Sequence, residues 1–555
     1  MLEGCSPYPD EFSARYVREG YWSDETIQQA IAESAQRIMR ANPHAIAVSD
    51  SSRALTFSQL VSEAASTAAL LERSGIRRGD RIIVQLPNCV EFASLFLGSL
   101  EIGAIPVMTL PAFRRAELEY LASFSKAKAI AIAPTVRGFD HAALARELRS
   151  QLASLETIFT IESARDCVSL REEIGGAPSL GSRRGDPFDA ALFLLSGGTT
   201  GMPKLIPRTH ADYLYNARAS VRACGLSANS RLLLALPVEH NFPLACPGLL
   251  GAMLIGARAV LCAATQPAEL SRTIDEQQIT HFPCVPTLAI GLAALPPESR
   301  HALRSLRVIT VGGQRLQEPT ARELMRLYPD LHVQQVFGMA EGLICMTSPD
   351  DSDEVASCTQ GRPLSPADEI RIVDALGEDV APGAMGELCC RGPYTIRGYW
   401  NAAERNREAF TDNGFYRTGD LVRMHPSANL VVEGRVKDLI NRGGEKISAE
   451  EVEAHLLAHP AVRAVAVVSM PDPTLGERAC AFITIEIDAE QPSLEDIREL
   501  LSARGVARFK WPERLEIVAE LPLTNVGKIQ KAELRRLIAE RLGAETASQA
   551  ERAAR

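Results

Sequence analysis

Short apolar runs separated by capped helical patterns fill the first two thirds of the chain, and this alternation leaves few folds open. Thr56 and Gln59 form a capping-box pattern ahead of Leu60, Ala64, Ala68 and Leu71, and Gly75 supplies the stop signal. Residues 81–86 read as a strand, 91–100 as a helix and 105–110 as a second strand. Similar strand units recur at 232–236, 259–262, 281–285 and 308–311. Strand and helix in alternation build parallel sheet with helices on its faces, so the expected class is α/β. No fixed-period repeat or low-complexity tract interrupts the pattern.

At 555 residues the chain exceeds one typical core, which predicts two or more domains. The texture changes near Asp368. Short apolar runs at 370–373, 386–390 and 430–433 are separated by Gly and Pro, which predicts a β-rich subdomain over about 368–437. A charged, Gly-rich segment follows, over 434–444. Ser448 and Glu451 then open a helix, 462–470 reads as a strand and 497–501 as a helix. These predict a compact α+β domain over 439–544. Residues 545–555 are polar and Ala-rich and read as a disordered tail.

A formal net charge of -10 argues against a nucleic-acid footprint but leaves room for a local basic pocket. The 12 cysteines show no CxxC spacing and read as reduced thiols of a cytoplasmic protein. The start, Met1-Leu2-Glu3-Gly4, has no basic region leading into an apolar core, so no signal peptide is expected. The most apolar stretch, 244–264, contains Pro247 and Arg258; it reads as a buried helix and strand, and no membrane span is expected.

One segment carries explicit anion chemistry. Ser196-Gly197-Gly198-Thr199-Thr200-Gly201-Met202-Pro203-Lys204 follows directly on the apolar run 191–195. Glycines let successive backbone N–H groups turn toward one anion, the hydroxyls add donors, and Lys204 adds a cation. It is a phosphate cradle without the Gly-Lys-Ser/Thr of a Walker A loop; the competing reading is a flexible surface loop. Three other places carry a functional and a bland reading each. Glu341, at the end of a strand-like run, is a ligand for a hard cation or a helix N-terminal residue. Asp420 is a bidentate acceptor for ribose hydroxyls or a structural turn residue. The run Gly434-Arg435, with Lys437 and Asp438, is a functional charge cluster, or a solvated face or linker. Lys528, in Leu523-Thr524-Asn525-Val526-Gly527-Lys528, reads on its own as a surface lysine of a polar loop.

Taken together and in this order, across nearly the whole chain, these segments resemble the adenylate-forming superfamily of acyl-CoA synthetases, peptide-synthetase adenylation domains and luciferases. Leu205-Ile-Pro-Arg-Thr-His210, Glu239-His-Asn-Phe-Pro-Leu-Ala-Cys-Pro-Gly248 and Gln334-Gln-Val-Phe-Gly-Met-Ala-Glu-Gly-Leu343 are similar to the stand-alone aryl-acid–AMP ligases of siderophore synthesis. So is the opening Tyr8-Pro-Asp-Glu-Phe12, with Tyr16 and Gly20-Tyr-Trp22.

The resemblance implies a large domain over 1–437, a hinge at Asp438 and a small mobile domain over 439–544. It implies ATP and Mg²⁺, and a two-step reaction: an aryl carboxylate attacks the α-phosphorus of ATP, and the phosphopantetheine thiol of an aryl carrier protein then displaces AMP. It makes Lys528 the bridge between carboxylate and α-phosphate, and Glu341 the metal ligand. Ser196, Gly197, Gly198, Thr199, Thr200, Gly201 and Lys204 become the grip on the β- and γ-phosphates. Gly312, Gly313 and Val336 become the adenine slot, and Asp420, with Arg435 and Lys437 nearby, the ribose site. Many superfamily members carry a phosphate-binding threonine where this chain has Ala340, a change shared by the aryl-acid subgroup; Ala340 is not expected to bind phosphate.

For the acid, the resemblance puts His240, Asn241, Phe242, Cys246, Gly338 and Ile344 around the ring. Salicylate-activating relatives carry Cys at position 246 and 2,3-dihydroxybenzoate-activating relatives carry Ser. A thiol is a weak hydrogen-bond partner, so a 3-hydroxyl buried against it would lose about 1–3 kcal/mol. The expected function is salicylate–AMP ligase. The alternatives are a 2,3-dihydroxybenzoate–AMP ligase, an aryl-CoA ligase using free coenzyme A, and a non-catalytic adenylate-binding protein.

Overall fold

Two large sheets stand side by side on either side of one helix pair. The structure, a computed structural model, describes residues 2–553 apart from 172–178, 184, 197–202, 443–444, 488 and 525–526. One sheet has nine strands, and six consecutive ones are parallel: His332–Gly338, Val308–Gly312, His281–Cys284, Arg231–Leu234, Arg258–Leu261 and Ile46–Ser49. The other has seven, with Ile105–Met108, Arg81–Gln85 and Ala129–Ile132 parallel at its centre. The expected α/β class and the strand units at 81–86, 105–110, 232–236, 259–262, 281–285 and 308–311 are all present, some shorter by one or two residues. Parallel strands must be covered on both faces, which explains why these runs are apolar throughout rather than alternating.

The helix Val90–Glu101 is buried at every position, as a helix covered on all sides must be. It packs against Phe57–Arg73, whose cap is the expected Thr56–Gln59 box and whose stop, Gly75, has φ +87°. A Cβ at Gly98 would lie 2.9 Å from the carbonyl oxygen of Ala64, so the helices approach through bare backbone there. The two buried acids on this helix are paired. Glu91 receives Arg53 at 3.0 Å and Arg171 at 2.8 Å, and Glu101 receives the backbone N–H of Gly181 at 2.7 Å.

A four-stranded antiparallel sheet, Glu369–Val373, Gly386–Arg391, Tyr416–Met424 and Leu430–Arg435, follows the large sheets. The last sheet has five strands and draws only on residues from Leu439 onward. Between them Val436–Asp438 forms a single turn of 3₁₀ helix, with the Arg535 guanidinium on the Asp438 carboxylate. The segment expected to be a disordered tail is different: the closing helix runs from Lys531 to Ala553, so the Ala-rich composition continues a helix already started by the packed residues Leu534 and Ile538. Among the described residues no helix is long and apolar enough to cross a membrane; 244–264 is a buried helix, Gly248–Ile255, followed by a strand. All 12 cysteines are unpaired.

Candidate active site

The site lies beyond the carboxyl ends of the parallel strands Val308–Gly312 and His332–Gly338, the usual ligand edge of such a sheet. Gly312 faces Val336 across the ladder, and a Cβ there would sit 2.3 Å from Val336 Cγ1. Gly313 follows at φ +86°, so the chain turns away and leaves a slot. The expected adenine-slot residues therefore adjoin one another.

Glu341 projects from the turn that joins His332–Gly338 to the antiparallel strand Ile344–Met346; it is on no helix. The preceding glutamines fix this hairpin from below. Gln334 donates to the carbonyls of Ala223 and Thr347, at 2.9 and 3.0 Å, and Gln335 to those of Ala356 and Ser357, both at 2.9 Å. The turn is held from the side as well. Arg208, fully buried, pairs with Asp212 at 2.8 Å and donates to the carbonyls of Ala340 at 3.0 Å and Tyr394 at 3.2 Å. The Ile396 N–H donates to the Glu341 carbonyl at 2.8 Å. The Tyr399 hydroxyl donates to Glu341 Oε1 at 2.8 Å and lies 3.1 Å from the Tyr416 hydroxyl.

The glycine loop is tied at its ends. Ser196 N–H donates to the Lys204 carbonyl, and Lys204 N–H to Ser196 Oγ, both at 3.0 Å. Gly197, Gly198, Thr199, Thr200 and Gly201 lie outside the described residues. The Lys204 ammonium sits 4.9 Å from the centre of the Tyr399 ring, on the same side chain that holds Glu341. Burial, then Arg405, lowers the pKa of Lys204.

Asp420 and Arg435 are cross-strand partners, with Nε to Oδ1 at 2.9 Å and Asp420 only 4% exposed. Asp420 lies within the strand Tyr416–Met424 rather than in a tight turn, next to Gly419 at φ +71°. Burial raises the Asp420 pKa against the pull of Arg435 and Lys528. Lys437 stands two residues on; burial, then Arg435, lowers its pKa.

Lys528 reaches this region from the small domain. It sits at the end of a narrow hairpin in which Thr524 N–H donates to the Lys528 carbonyl at 2.6 Å and Lys528 N–H to Thr524 Oγ1 at 3.0 Å. Its Cε lies 3.3 Å from where a Cβ on Gly313 would stand. Burial and Arg435 pull its pKa down to about 8, against Asp420 and Glu341.

The lysine lines a largely enclosed cavity. Leu236, Phe242, Val285, Val336, Met339 and Ile344 give apolar walls, Gly338 adds bare backbone, and His240, Asn241 and Cys246 add the polar groups. Asn241 opens the short helix Asn241–Ala245, and Cys246 ends it with its N–H on the Phe242 carbonyl at 3.1 Å. Burial, with Lys528 nearby, pulls His240 down to about 4 and keeps its imidazole neutral. Burial pushes the Cys246 thiol up to about 11.

Every expected residue that the structure describes thus belongs to one connected region, except Asp438, which stands at the junction of the sheets. Residues of the region that were missed include the cavity walls Leu236, Val285 and Met339, together with Arg208, Tyr399, Tyr416 and Asn216, whose amide donates to Cys246 Sγ. Arg208 lies inside the motif segment Leu205–His210 and Tyr416 four residues before Asp420, so their place in the sequence was a usable signal; Asn216 and Tyr399 offered none.

Among the described residues no group of three or more His, Cys, Asp or Glu could hold a metal. Glu341 is a carboxylate fixed through one oxygen by a hydroxyl. It fits a divalent cation that takes its remaining oxygen ligands from phosphate and water.

Residues 35–400 match the family described as AMP-binding enzyme, and residues 451–528 the AMP-binding enzyme C-terminal domain. The chain is 47% identical over 548 residues to a Streptomyces protein named salicylyl-CoA synthase / salicylate adenylyltransferase, covering 97% of this chain and 98% of that one. It is 44% identical over 556 residues to a Mycobacterium tuberculosis protein named salicyl-AMP ligase / salicyl-S-ArCP synthetase, covering 98% and 96%. It is 42% identical over 542 residues to the 2,3-dihydroxybenzoate-AMP ligase of Bacillus subtilis, covering 98% and 99%. Its fold matches the apo structure of Mycobacterium smegmatis MbtA with a TM-score of 0.73 and 44% identity, over 96% and 98% of the two chains.

Proposed function

The chain belongs to the AMP-binding enzyme family, and on that premise we propose that it activates salicylate with ATP and passes the acyl group to the phosphopantetheine thiol of an aryl carrier protein in siderophore synthesis. One observation carries the reading: the buried Lys528 side chain lines a mostly apolar cavity on one side and neighbours the Asp420–Arg435 pair and Glu341 on the other. An aromatic acid and a nucleotide thereby meet at one cation.

A carboxylate is a weak nucleophile and must approach a polyanion, so positive charge has to serve both partners. Lys528 is the group that bonds the carboxylate and the α-phosphate together. A carboxylate oxygen forms a bond to the α-phosphorus, the bond to the β-phosphate oxygen breaks, and pyrophosphate leaves. Asp420 receives the ribose hydroxyls, with Arg435 holding its carboxylate in place. Gly312, Gly313 and Val336 flank the base. Ser196, Lys204 and the glycine loop receive the β- and γ-phosphates. Glu341 holds the Mg²⁺, oriented by Tyr399; when bound, the ion neutralises phosphate charge. Lys437 adds positive potential beside the ribose.

In the second step the carrier thiolate attacks the acyl carbonyl, a thioester forms, and AMP leaves with the electron pair of the broken acyl–phosphate bond. Lys528 occupies the mouth of the cavity in the first step and must withdraw for the second. Asp438 is the hinge residue, because it stands on the one-turn link between the sheets. The aryl acid is salicylate because Cys246 offers the ring 3-position a weak partner. Twelve unpaired thiols fit a cytoplasmic location.

ATP–pyrophosphate exchange over salicylate, 2,3-dihydroxybenzoate and benzoate tests the first step. Salicylate is expected to give the highest kcat/KM, and a preference for the dihydroxy acid would replace this reading by its neighbour. Thioester formation on a phosphopantetheinylated carrier, compared with free coenzyme A, tests the second.

A further inference from the structure

The sulfur at the floor of the ring cavity is governed by a residue that does not line it. Asn216 lies on the helix His210–Ala223 and is fully buried. Its Nδ2 donates to the Ala245 carbonyl at 2.9 Å and to Cys246 Sγ at 3.5 Å. The Ala245 carbonyl fixes which way the amide faces, since the reverse orientation would set oxygen against oxygen. From the other side, Asn241 Nδ2 donates to the same sulfur at 3.4 Å. Cys246 therefore accepts two amide N–H groups, one from inside the cavity and one from behind it.

That arrangement decides what the sulfur can offer a ring. A hydroxyl on the ring 3-position needs an acceptor for its hydrogen once water is excluded. The acceptor capacity of Cys246 is already committed to protein, and its thiol is at best a weak donor. Without Asn216 behind it, the thiol is free to turn about χ1 and to present to the cavity an acceptor direction that this amide now holds away from it.

We propose that Asn216 is a positioning residue that sets acid specificity through Cys246, by committing the sulfur to the protein and so excluding a 3-hydroxyl. This rests on the salicylate reading above. The preference of the enzyme then belongs to the pair Asn216–Cys246 and not to the thiol alone.

The test is the ratio of kcat/KM for salicylate to that for 2,3-dihydroxybenzoate in pyrophosphate exchange, measured on one preparation of each variant. A loss of folded protein cancels in that ratio, so a purely structural role leaves it unchanged. Asn216→Ala is expected to lower the ratio about three- to tenfold, the span of one modest hydrogen bond. In a Cys246→Ala background the same substitution is expected to leave the ratio unmoved, because the sulfur through which it acts is gone. Asn216→Ser, too short to hold both partners, keeps a polar group in place and is expected to lower the ratio in the same direction if the alanine variant does not fold. An unchanged ratio in the single variants, or an equal change with and without Cys246, overturns the proposal while leaving the salicylate reading intact. A wild-type enzyme that prefers 2,3-dihydroxybenzoate overturns both.

Discussion

The Tyr399 hydroxyl donates to Glu341 Oε1 at 2.8 Å, across 58 residues of sequence, and the same ring carries the Lys204 ammonium on its face. The tyrosine thus links the end of the glycine loop to the carboxylate proposed to hold the metal. Tyr399→Phe keeps the ring and removes the bond to Glu341. It is expected to raise the Mg²⁺ concentration needed for half-maximal pyrophosphate exchange several-fold, with little change in KM for salicylate. An equal rise in both would show that the hydroxyl supports the whole site and not the carboxylate in particular.

Lys528→Ala should remove the cation from the first step only. Exchange activity is expected to fall by about 10²–10³, the usual cost of losing one group aimed at developing charge. Thioester formation from chemically supplied salicyl-AMP is expected to stay within a few-fold of wild type. A parallel loss of both half-reactions would take Lys528 out of its assigned role.

The pKa of Lys528, about 8, predicts an alkaline limb in the pH profile. The charged form is the useful one, so kcat/KM for exchange is expected to decline as pH rises through about 8, the value for free enzyme. Bound anions favour the ammonium, so the limb in kcat should lie higher. Arg435→Met removes a like charge and should move the kcat/KM limb upward. For stability the sign is opposite to that of activity. The pKa is depressed on folding from 10.5 to about 8, so the unfolded chain binds the proton more tightly, and this group favours folding more as pH rises between those values.

Cys246→Ser should narrow the preference for salicylate over 2,3-dihydroxybenzoate by about tenfold, within the 1–3 kcal/mol range for a buried polar group that gains a partner. Competition between the two acids in one exchange assay measures it directly. A wider preference in the serine variant would place the discrimination elsewhere in the pocket.

Asp438→Pro fixes one backbone angle in the turn Val436–Asp438 and removes the carboxylate that Arg535 holds. Exchange is expected to remain within a few-fold of wild type, while thioester formation falls by tenfold or more. Equal loss would remove Asp438 from the hinge role.

Arg208→Met leaves Asp212 buried without its partner and takes donors from the carbonyls of Ala340 and Tyr394. A stability loss of about 3–5 kcal/mol is expected by urea denaturation, the usual cost of breaking a buried pair. Arg208→Met with Asp212→Leu should recover part of it. A single variant as stable as wild type would show that the pair contributes nothing net.

Much of this was readable in the chain because it is local. Thr56, Gln59 and Gly75 mark a helix at both ends, and runs such as 281–285 and 308–311 are strands because parallel sheet demands apolar residues on both faces. The proposed catalytic set was readable only as a set: taken singly, Glu341 reads as a helix N-terminal residue, Asp420 as a turn residue and Lys528 as a surface lysine, and their joint order points away from all three. What could not be read is long-range. Arg208 reaches Ala340 across 132 residues, and Asn216 reaches Cys246 across 30, through contacts that exist only after the helix His210–Ala223 has been laid against the sheet. Asp420 has the sequence surroundings of a turn residue but lies in a nine-residue strand, since a glycine at positive φ inside a strand mimics turn composition. The closing segment was expected to be disordered from its composition, yet composition does not report that a helix is already under way.

A thiol in the pocket of an acyl-activating enzyme is a hazard to the enzyme itself. Salicyl-AMP is a mixed anhydride, and a cysteine thiolate in reach would capture the acyl group and end turnover. Burial that pushes Cys246 up to about 11 keeps it a thiol at pH 7. On the proposed reaction, the low dielectric around the ring keeps the acyl-adenylate from capture by Cys246 before the carrier thiol arrives.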